Sequence, residues 1–317
     1  MKTKNSLFLF FIFSLIFSCN VNQEKNNEFS HFSEQVSDLK ILRYQIPGFD
    51  KLTLNQKKFV YYLTEAGLSG RDIMYDQNYR HNLKIRRALE NIYLKYNGNK
   101  SDEKWKSFEI YLKRIWFSNG IHHHYSNDKF EPNFSSEYLR NLMDETNTEL
   151  NNEVFDLIFN DVDSKKVNKD KSKGIVVGSS VNFYDPEITE EEVESFYKNI
   201  KVPDPNKPIS LGLNSKLVKE DGILKEKVWK KGGMYTGSIE KIIDNLKLAK
   251  EYAENKKQAD ALGLLIKYYE TGDLKIWDDY NVAWVETTEG DVDYINGFIE
   301  VYNDPKGYRG SYESVVQ

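Results

Sequence analysis

Apolar side chains recur every three to four residues through the first half of the chain, a spacing that places them on one face of a helix. The clearest stripe contains Phe59 and Leu63 and follows Thr53 and Gln56, whose spacing predicts a capping box. Two further stripes fit helices of similar length, and two smaller apolar groups fit shorter helices. These four groups are Ile85 to Tyr96, Trp105 to Ile115, Tyr138 to Met143 and Val154 to Phe159. The pattern predicts a helical subregion over residues 39–159.

The second half of the chain mixes helix and strand signals. Helices are expected after Thr189, at Ser238 to Glu254 and at Lys257 to Glu270, and strands at Ile175 to Val181, Val282 to Val285 and Tyr294 to Tyr302. Asp221-Gly222 separates two β-like runs, Ile209 to Val218 and Ile223 to Trp229, which predicts a β-hairpin. Residues 160–174 are polar and charged, which predicts a linker or loop. The chain is therefore predicted to be α+β with helices predominating, and residues 175–317 to form its mixed part.

The amino terminus has the pattern of an export signal. Two early lysines precede an apolar run from Leu7 to Phe17, which is too short to span a hydrocarbon layer of about 30 Å. Cys19 follows, where a bacterial lipoprotein signal places its lipidated residue. We therefore predict a lipoprotein-type signal over residues 1–19 and a polar tether over residues 20–38. The protein would be exported and anchored in a bacterial membrane through Cys19, on the periplasmic side or the cell surface. An ordinary cleaved signal with a stray cysteine is the alternative.

Composition narrows the function classes. The 317 residues are 39% hydrophobic and 14% aromatic, which is too apolar for a disordered chain. The formal net charge of −5, from 44 basic and 49 acidic residues, provides no basic surface field, so nucleic acid is not an expected partner. Cys19 is the only cysteine, which excludes a disulfide scaffold and leaves no catalytic thiol after the signal.

The run His122-His123-His124 is the most conspicuous candidate for metal binding. On a strand, the first and third imidazoles would share one face, at a spacing that zinc ligands use. A zinc site needs at least one more ligand, and the other histidines are His31, in the predicted tether, and His81. No His-Glu-x-x-His motif occurs. We therefore expect a loop or a packed polar strand here rather than a metal site.

Glu300 and Tyr302 form the second candidate. Alternation with a period of two would place Phe298, Glu300 and Tyr302 on one face of the predicted strand. A carboxylate beside a phenol can bind a primary ammonium group, because both offer oxygen acceptors and the carboxylate supplies the charge. The spacing fits a half-buried strand with a solvated glutamate equally well, and the residues alone leave both interpretations open. Motifs for a serine nucleophile or a phosphate-binding loop do not occur.

Several segments resemble the dipeptidyl peptidase III family, especially its bacterial lipoprotein-type members. In the family's order they are Tyr61 to Ala66 with Gly70 to Asp72, Trp116 to Tyr125, Leu213 to Ser215, Trp277 to Tyr280 and Gly297 to Pro305, followed by Gly307, Arg309-Gly310 and Glu313. The resemblance implies a two-lobed zinc exopeptidase that releases dipeptides from peptide amino termini and has a barrel-like core in its lower lobe. Glu300 and Tyr302 match the family positions that bind the substrate's free amino terminus. Glu313 is a weaker match for a nearby acid.

The zinc ligands of the family have no counterpart in the chain. A His-Glu-x-x-Gly-His helix and a second, glutamate-rich motif lie downstream in the family, and neither occurs in these 317 residues. The three neighbouring histidines do not match them. The resemblance therefore implies most of the lower lobe, without bound zinc or a catalytic residue of its own, and a carboxy-terminal catalytic half as the missing partner. Whether this chain is an enzyme stays open, and a lipid-anchored, non-catalytic peptide-binding protein or remnant is the alternative.

Overall fold

A computed structural model describes residues 29–202, 204 and 206–317. The chain divides into two compact units, and the second runs from Pro47 to Gln317. In the described residues no helix is both long and apolar enough to cross a membrane. Cys19 and the signal predicted around it lie outside the described residues.

The first unit contains an antiparallel hairpin of β1 (Phe32–Val36) and β2 (Leu39–Leu42). Ser37, with φ of 53°, supplies the left-handed backbone that a two-residue hairpin turn needs. The polar tether predicted up to residue 38 is therefore wrong over β1, and the helical pattern predicted from Leu39 is wrong over β2. Both strands are short and mostly exposed, so they lack the apolar alternation by which a strand is recognised.

Helices make up most of the second unit. In its described part they are α1 (Leu54–Ser69), α2 (Arg71–Asn78), α3 (Asn82–Lys95), α4 (Glu103–Ser118), α5 (Ser136–Thr146), α6 (Asn152–Asp156), α7 (Glu190–Lys198), α8 (Thr236–Glu251), α9 (Lys256–Thr271) and α10 (Leu274–Val285). Thr53 and Gln56 form the predicted capping box of α1, and Thr189 and Glu192 form a second one at α7. The α+β, helix-predominant prediction is confirmed.

Four strands of the second unit form two antiparallel pairs. They are β3 (Ser215–Glu220) with β4 (Ile223–Val228), and β5 (Tyr294–Phe298) with β6 (Tyr312–Val316). Asp221 and Gly222, with φ of 51° and 77°, form the predicted hairpin turn. In β5–β6, Gly297 lies opposite Glu313 and Phe298 lies opposite Tyr312.

Two hydrophobic cores stabilise the second unit, and α2 lies between them. One core is built from α3 to α6 around Trp105 and Phe108, and the other gathers α1, α7 to α10 and the two strand pairs around Trp229 and Phe298. On α2, Ile73 belongs to the second core and Tyr75 to the first. Because their side chains project from different sides of one helix, α2 is held by both cores.

Three strand predictions differ from the structure. Residues 282–285 end α10, since Val282 and Val285 are exposed on a helix whose buried side carries Ile276 and Trp277. Residues 175–181 form turns rather than a strand. The strand predicted through Tyr302 ends at Phe298, and a turn begins at Tyr302. Residues 160–174, predicted as a linker or loop, are a loop whose centre, from Lys166 to Asn168, is buried.

Candidate functional site

A cleft of about 440 Å³ opens beside the carboxyl end of α2. Its wall consists of Met74, Gln77, Asn78, Ser118, Asn119, His124, Lys166, Glu300, Tyr302, Asn303, Ser311, Tyr312 and Glu313. All three residues predicted to bind an amino terminus therefore face one cleft. A cavity of this size is within the range of small-ligand sites.

A larger cleft of about 790 Å³ also has Asn119 in its wall. Its most prominent charged groups already form ion pairs with one another. Asp72 pairs with Arg86 at 2.9 Å, and Arg86 pairs with Glu90 at 3.4 Å. Trp116 Nε1 also donates to Glu90 at 2.8 Å. These contacts pair Asp72, Arg86 and Glu90 with one another, whereas the smaller cleft contains all three residues predicted to bind an amino terminus, so the smaller cleft is the better candidate site.

The segment after β5 places Glu300 and Tyr302 at the cleft. Ile299 N donates to Ser311 O at 3.0 Å, and Ser311 N donates to Glu300 O at 2.9 Å. These two bonds extend the pairing by one step, after which Tyr302 begins a turn and is 70% exposed. Phe298 is fully buried, so the predicted common face of Phe298, Glu300 and Tyr302 is wrong. The turn, rather than strand alternation, directs the two polar side chains.

A buried pair of charged residues, Asp304 and Arg309, fixes that turn. The Asp304 carboxylate accepts backbone N–H bonds from Lys306, Tyr308 and Arg309 at 2.8–2.9 Å. Tyr184 Oη donates to the same carboxylate at 2.8 Å, and Arg309 Nη1 lies 3.9 Å from it. The side chains of Asp304 and Arg309 are both completely buried. A carboxylate that accepts several N–H bonds holds its turn in one conformation.

Gln77 joins α2 to the opposite side of this segment. Its amide Nε2 donates to Gly310 O at 3.1 Å, and its Oε1 accepts from Tyr312 N at 2.8 Å. Gln77 is 2% exposed, so both bonds are shielded from water. The start of β6, and with it Glu313, is therefore fixed against α2.

Glu300, Glu313 and Tyr302 form an acidic wall of the cleft, in which burial and charge shift pKa values. Burial, followed by the charge of Glu300, raises the pKa of Glu313 above its ordinary value. Burial and then the charges of Glu313 and Glu300 raise the pKa of Tyr302. The two carboxylates repel each other, and the Tyr302 hydroxyl lies near both. Among the described residues neither carboxylate has an ion-pair partner, so a cation bound here would relieve the repulsion.

The opposite wall begins at the end of α4. Asn119 ends that helix with φ of 52°, and buried Asn82 holds the next turn by donating to Tyr75 O at 3.0 Å and accepting from Ile121 N at 3.1 Å. This arrangement directs the chain toward the three consecutive histidines, of which His124 faces the cleft.

The three histidines have separate environments. His122 is 1% exposed, and its Nε2 donates to Asp163 O at 2.7 Å. His123 Nδ1 accepts from the backbone N–H groups of Tyr125 and Ser126. The predicted loop is therefore observed, and the imidazoles do not share a strand face. In the part of the chain that the structure describes, no three His, Cys, Asp or Glu side chains are grouped so as to hold a metal ion.

Comparison with known proteins identifies the chain's relatives. A sequence model of peptidase family M49 matches residues 210–317. Dipeptidyl peptidase 3 of Dictyostelium discoideum is 27% identical over 238 residues, which cover 68% of this chain and 33% of that protein. These matches confirm the resemblance to the dipeptidyl peptidase III family. Dipeptidyl peptidase 3 of Nematostella vectensis is 34% identical over 84 residues, which cover 26% of this chain and 12% of the relative.

Solved structures of dipeptidyl peptidase III share the fold. The structure from Caldithrix abyssi superposes with a TM-score of 0.57 at 20% identity, and that from Corallococcus sp. strain EGB with a TM-score of 0.58 at 16% identity. Each covers 86% of this chain, and the chain covers 40% of each. The chain thus spans about a third of its curated Dictyostelium relative and two fifths of the solved structures.

The dipeptidyl peptidase III family consists of zinc metallopeptidases that act on peptides. The described residues do not fit that ion, because the histidines point to separate partners and no acidic ligands converge on them. No step of hydrolysis is therefore assigned to them.

The sequence predicts the acidic wall of the cleft, which contains Glu300, Tyr302 and Glu313. It does not predict the basic wall, which contains Lys166 and His124. Lys166 lies in the charged segment 160–174, where nothing in the local pattern separates a buried lysine from the solvated lysines around it. Its burial depends on backbone pairing with distant segments, at Asn127 and Val181. The sequence marks His124 as part of a candidate metal motif and of a segment that resembles the family, and indicates no role in this cleft.

Proposed function

We propose that the chain is the substrate-binding part, belonging to the lower lobe, of an exported dipeptidyl peptidase III-like exopeptidase that releases dipeptides. Its role is to bind the free amino terminus of a peptide. The supporting observation is that Glu300, Glu313 and Tyr302 face one cleft and that the described residues offer the two carboxylates no ion-pair partner.

A primary ammonium group matches this wall chemically. It has three N–H donors and one positive charge, while the wall offers two carboxylates and a phenol oxygen as acceptors. Binding would place the cation between groups that now repel one another, so the gain includes relief of that repulsion. If the amino terminus is held at one fixed point, the bond to be cleaved lies at a fixed distance along the peptide. Cleavage after two residues would follow from that distance.

Calorimetry with matched peptides tests ammonium capture. The full chain, in detergent micelles, is titrated with tetra-alanine amide and with the same peptide acetylated at its amino terminus. We expect acetylation to weaken binding at least about tenfold, since it removes both the charge and two donors. Glu300→Gln should weaken binding of the free peptide by a similar factor. Glu137→Gln, on the exposed first turn of α5, is the matched control and should change nothing. Equal affinity for the two peptides would reject the proposal.

Export and anchoring form a separate part of the proposal, supported by the sequence from Leu7 to Cys19. Growth with a radiolabelled fatty acid should label the wild-type chain and leave Cys19→Ala unlabelled. If the wild-type chain is cleaved but carries no label, an ordinary signal peptide is the correct interpretation.

A further inference from the structure

Lys166 is a buried cation in the wall of the candidate cleft. It is 4% exposed, yet it lines the cleft together with His124. Its backbone is fixed on both sides, because Lys166 N donates to Asn127 O at 2.8 Å and Val181 N donates to Lys166 O at 3.1 Å. The main chain that carries the side chain is therefore fixed at the wall of the cleft.

The ammonium group of Lys166 lacks a partner. Among the described residues its Nζ makes no ion pair and no side-chain hydrogen bond. The Lys166 side chain is largely buried, but its Nζ keeps access to the cleft. A charge with so little contact with water is unfavourable unless a partner of opposite charge binds it. Burial alone lowers the pKa of Lys166 to about 8, with no acidic group opposing the effect. In the part of the chain that the structure describes, neither Glu300 nor Glu313 forms an ion pair with this lysine, although all three line the same cleft.

His124 adds to the same wall. Burial, the neighbouring His123 and then Lys166 lower the pKa of His124, so the two cleft-lining groups lie close enough to interact. Ser118 Oγ lies 3.3 Å from His124 Nδ1, which fixes the ring. A negatively charged group placed here would meet a cation, an imidazole and the amide of Asn119.

The geometry points to a second pole in the cleft: we propose that Lys166, assisted by His124, binds a carboxylate of the ligand while Glu300, Glu313 and Tyr302 hold its ammonium group. The favoured ligand is then a short peptide with a carboxylate near its free amino terminus. This inference rests on the proposed function for the ammonium end. The carboxylate itself has two chemical sources, which are the terminal carboxylate of a free dipeptide and an acidic side chain at the second position of a longer peptide.

Two ligand pairs distinguish these sources. The full chain, in detergent micelles, is titrated with Ala-Ala and Ala-Ala-amide, and with Ala-Glu-Ala-Ala-amide and Ala-Gln-Ala-Ala-amide. We expect the carboxylate member of at least one pair to bind about tenfold more tightly than its neutral partner. A preference in the first pair assigns the terminal carboxylate, and one in the second pair assigns the acidic side chain. If neither pair shows a difference, the inference is wrong, and this result needs no variant.

Variants assign the effect to the lysine. Lys166→Met should reduce the carboxylate preference to less than about twofold, and Lys166→Arg should retain it because the charge is kept. Lys169→Met, three residues away and exposed, is the matched control and should behave as the wild type. A preference that survives in a folded Lys166→Met variant would overturn the assignment. Acetylated Ala-Ala distinguishes failure of this inference from failure of the proposed function. If it binds as tightly as Ala-Ala, the cleft does not recognise the ammonium group. If it also binds more tightly than its own amide, and this preference depends on Lys166, carboxylate binding by Lys166 is still supported.

Discussion

The buried pair of Asp304 and Arg309 should control both the stability of the second unit and the shape of the cleft. Asp304→Asn keeps the size of the side chain and removes its charge. The carboxylate accepts three backbone N–H bonds and the Tyr184 hydroxyl, whereas an amide presents one N–H₂ group to that set of donors. It also leaves the Arg309 guanidinium, which is completely buried, without its counter-charge.

The expected cost is about 3–5 kcal/mol, the usual range when one member of a buried pair is removed. Urea unfolding followed by tryptophan fluorescence measures it, since Trp229 and Trp277 lie in the same core. Asp279→Asn is the matched control, because Asp279 pairs with Lys275 in an exposed contact worth about 1 kcal/mol or less. The binding of free tetra-alanine amide should weaken in Asp304→Asn, since the turn that carries Tyr302 loses its support.

A double-mutant cycle separates the pair from general damage. Arg309→Met removes the cation and leaves an apolar side chain of similar length. If the two charges act together, the double variant should lose less stability than the sum of the single losses, by at least about 1 kcal/mol. A loss below about 1 kcal/mol in Asp304→Asn, or exact additivity in the cycle, would refute the reasoning.

Three further predictions concern protonation and packing. Affinity for a free amino terminus should fall on acidification, and the fall should start above the ordinary carboxyl range, because the raised pKa of Glu313 means that this carboxylate is protonated at a higher pH. Titration calorimetry at several pH values measures this affinity, and constant affinity down to pH 4 would contradict the prediction. Burial lowers the pKa of His122 to about 4. The unfolded chain then binds more protons below pH ~6.5, so up to ~3 kcal/mol of stability should be lost between pH ~6.5 and ~4, and His122→Gln should lack that part of the loss in urea unfolding. Gly310→Ala would place a Cβ 2.6–2.8 Å from backbone atoms of Phe298 and Ile299 and should cost about 1–3 kcal/mol, whereas Gly237→Ala, with open space at its Cβ, should be neutral or stabilising.

Local chemistry accounts for the parts of the fold that the sequence predicts well. Capping at Thr53 and Thr189 and the turn at Asp221-Gly222 depend on residues at most three positions apart, so they are readable from the chain. The error at residues 282–285 has a different origin, because a short apolar run fits a strand or the end of a helix, and tertiary packing decides between them.

The candidate site is likewise predictable only where its residues lie close together in the sequence. Glu300 and Tyr302 were found from their spacing and from the family resemblance, although the strand expected to carry them ends at Phe298. Lys166 could not be found, because its burial follows from hydrogen bonds to Asn127 and Val181 rather than from its neighbours in sequence. A site made from one segment can be predicted, whereas a wall assembled from several requires the folded structure.

The two bonds made by Gln77 also have a kinetic consequence. They join residues 233 and 235 positions apart, so the cleft depends on contacts among the most distant in the chain. Contacts between residues so far apart form late, because the conformational entropy of closing a long loop is lost before the contacts can offset it. At a synthesis rate of about 5–20 residues per second, α2 would wait on the order of ten to fifty seconds for Gly310 and Tyr312 to be made. During that time the edge of α2 that forms the cleft stays open, and chaperones or neighbouring chains have access to it before any peptide ligand can bind.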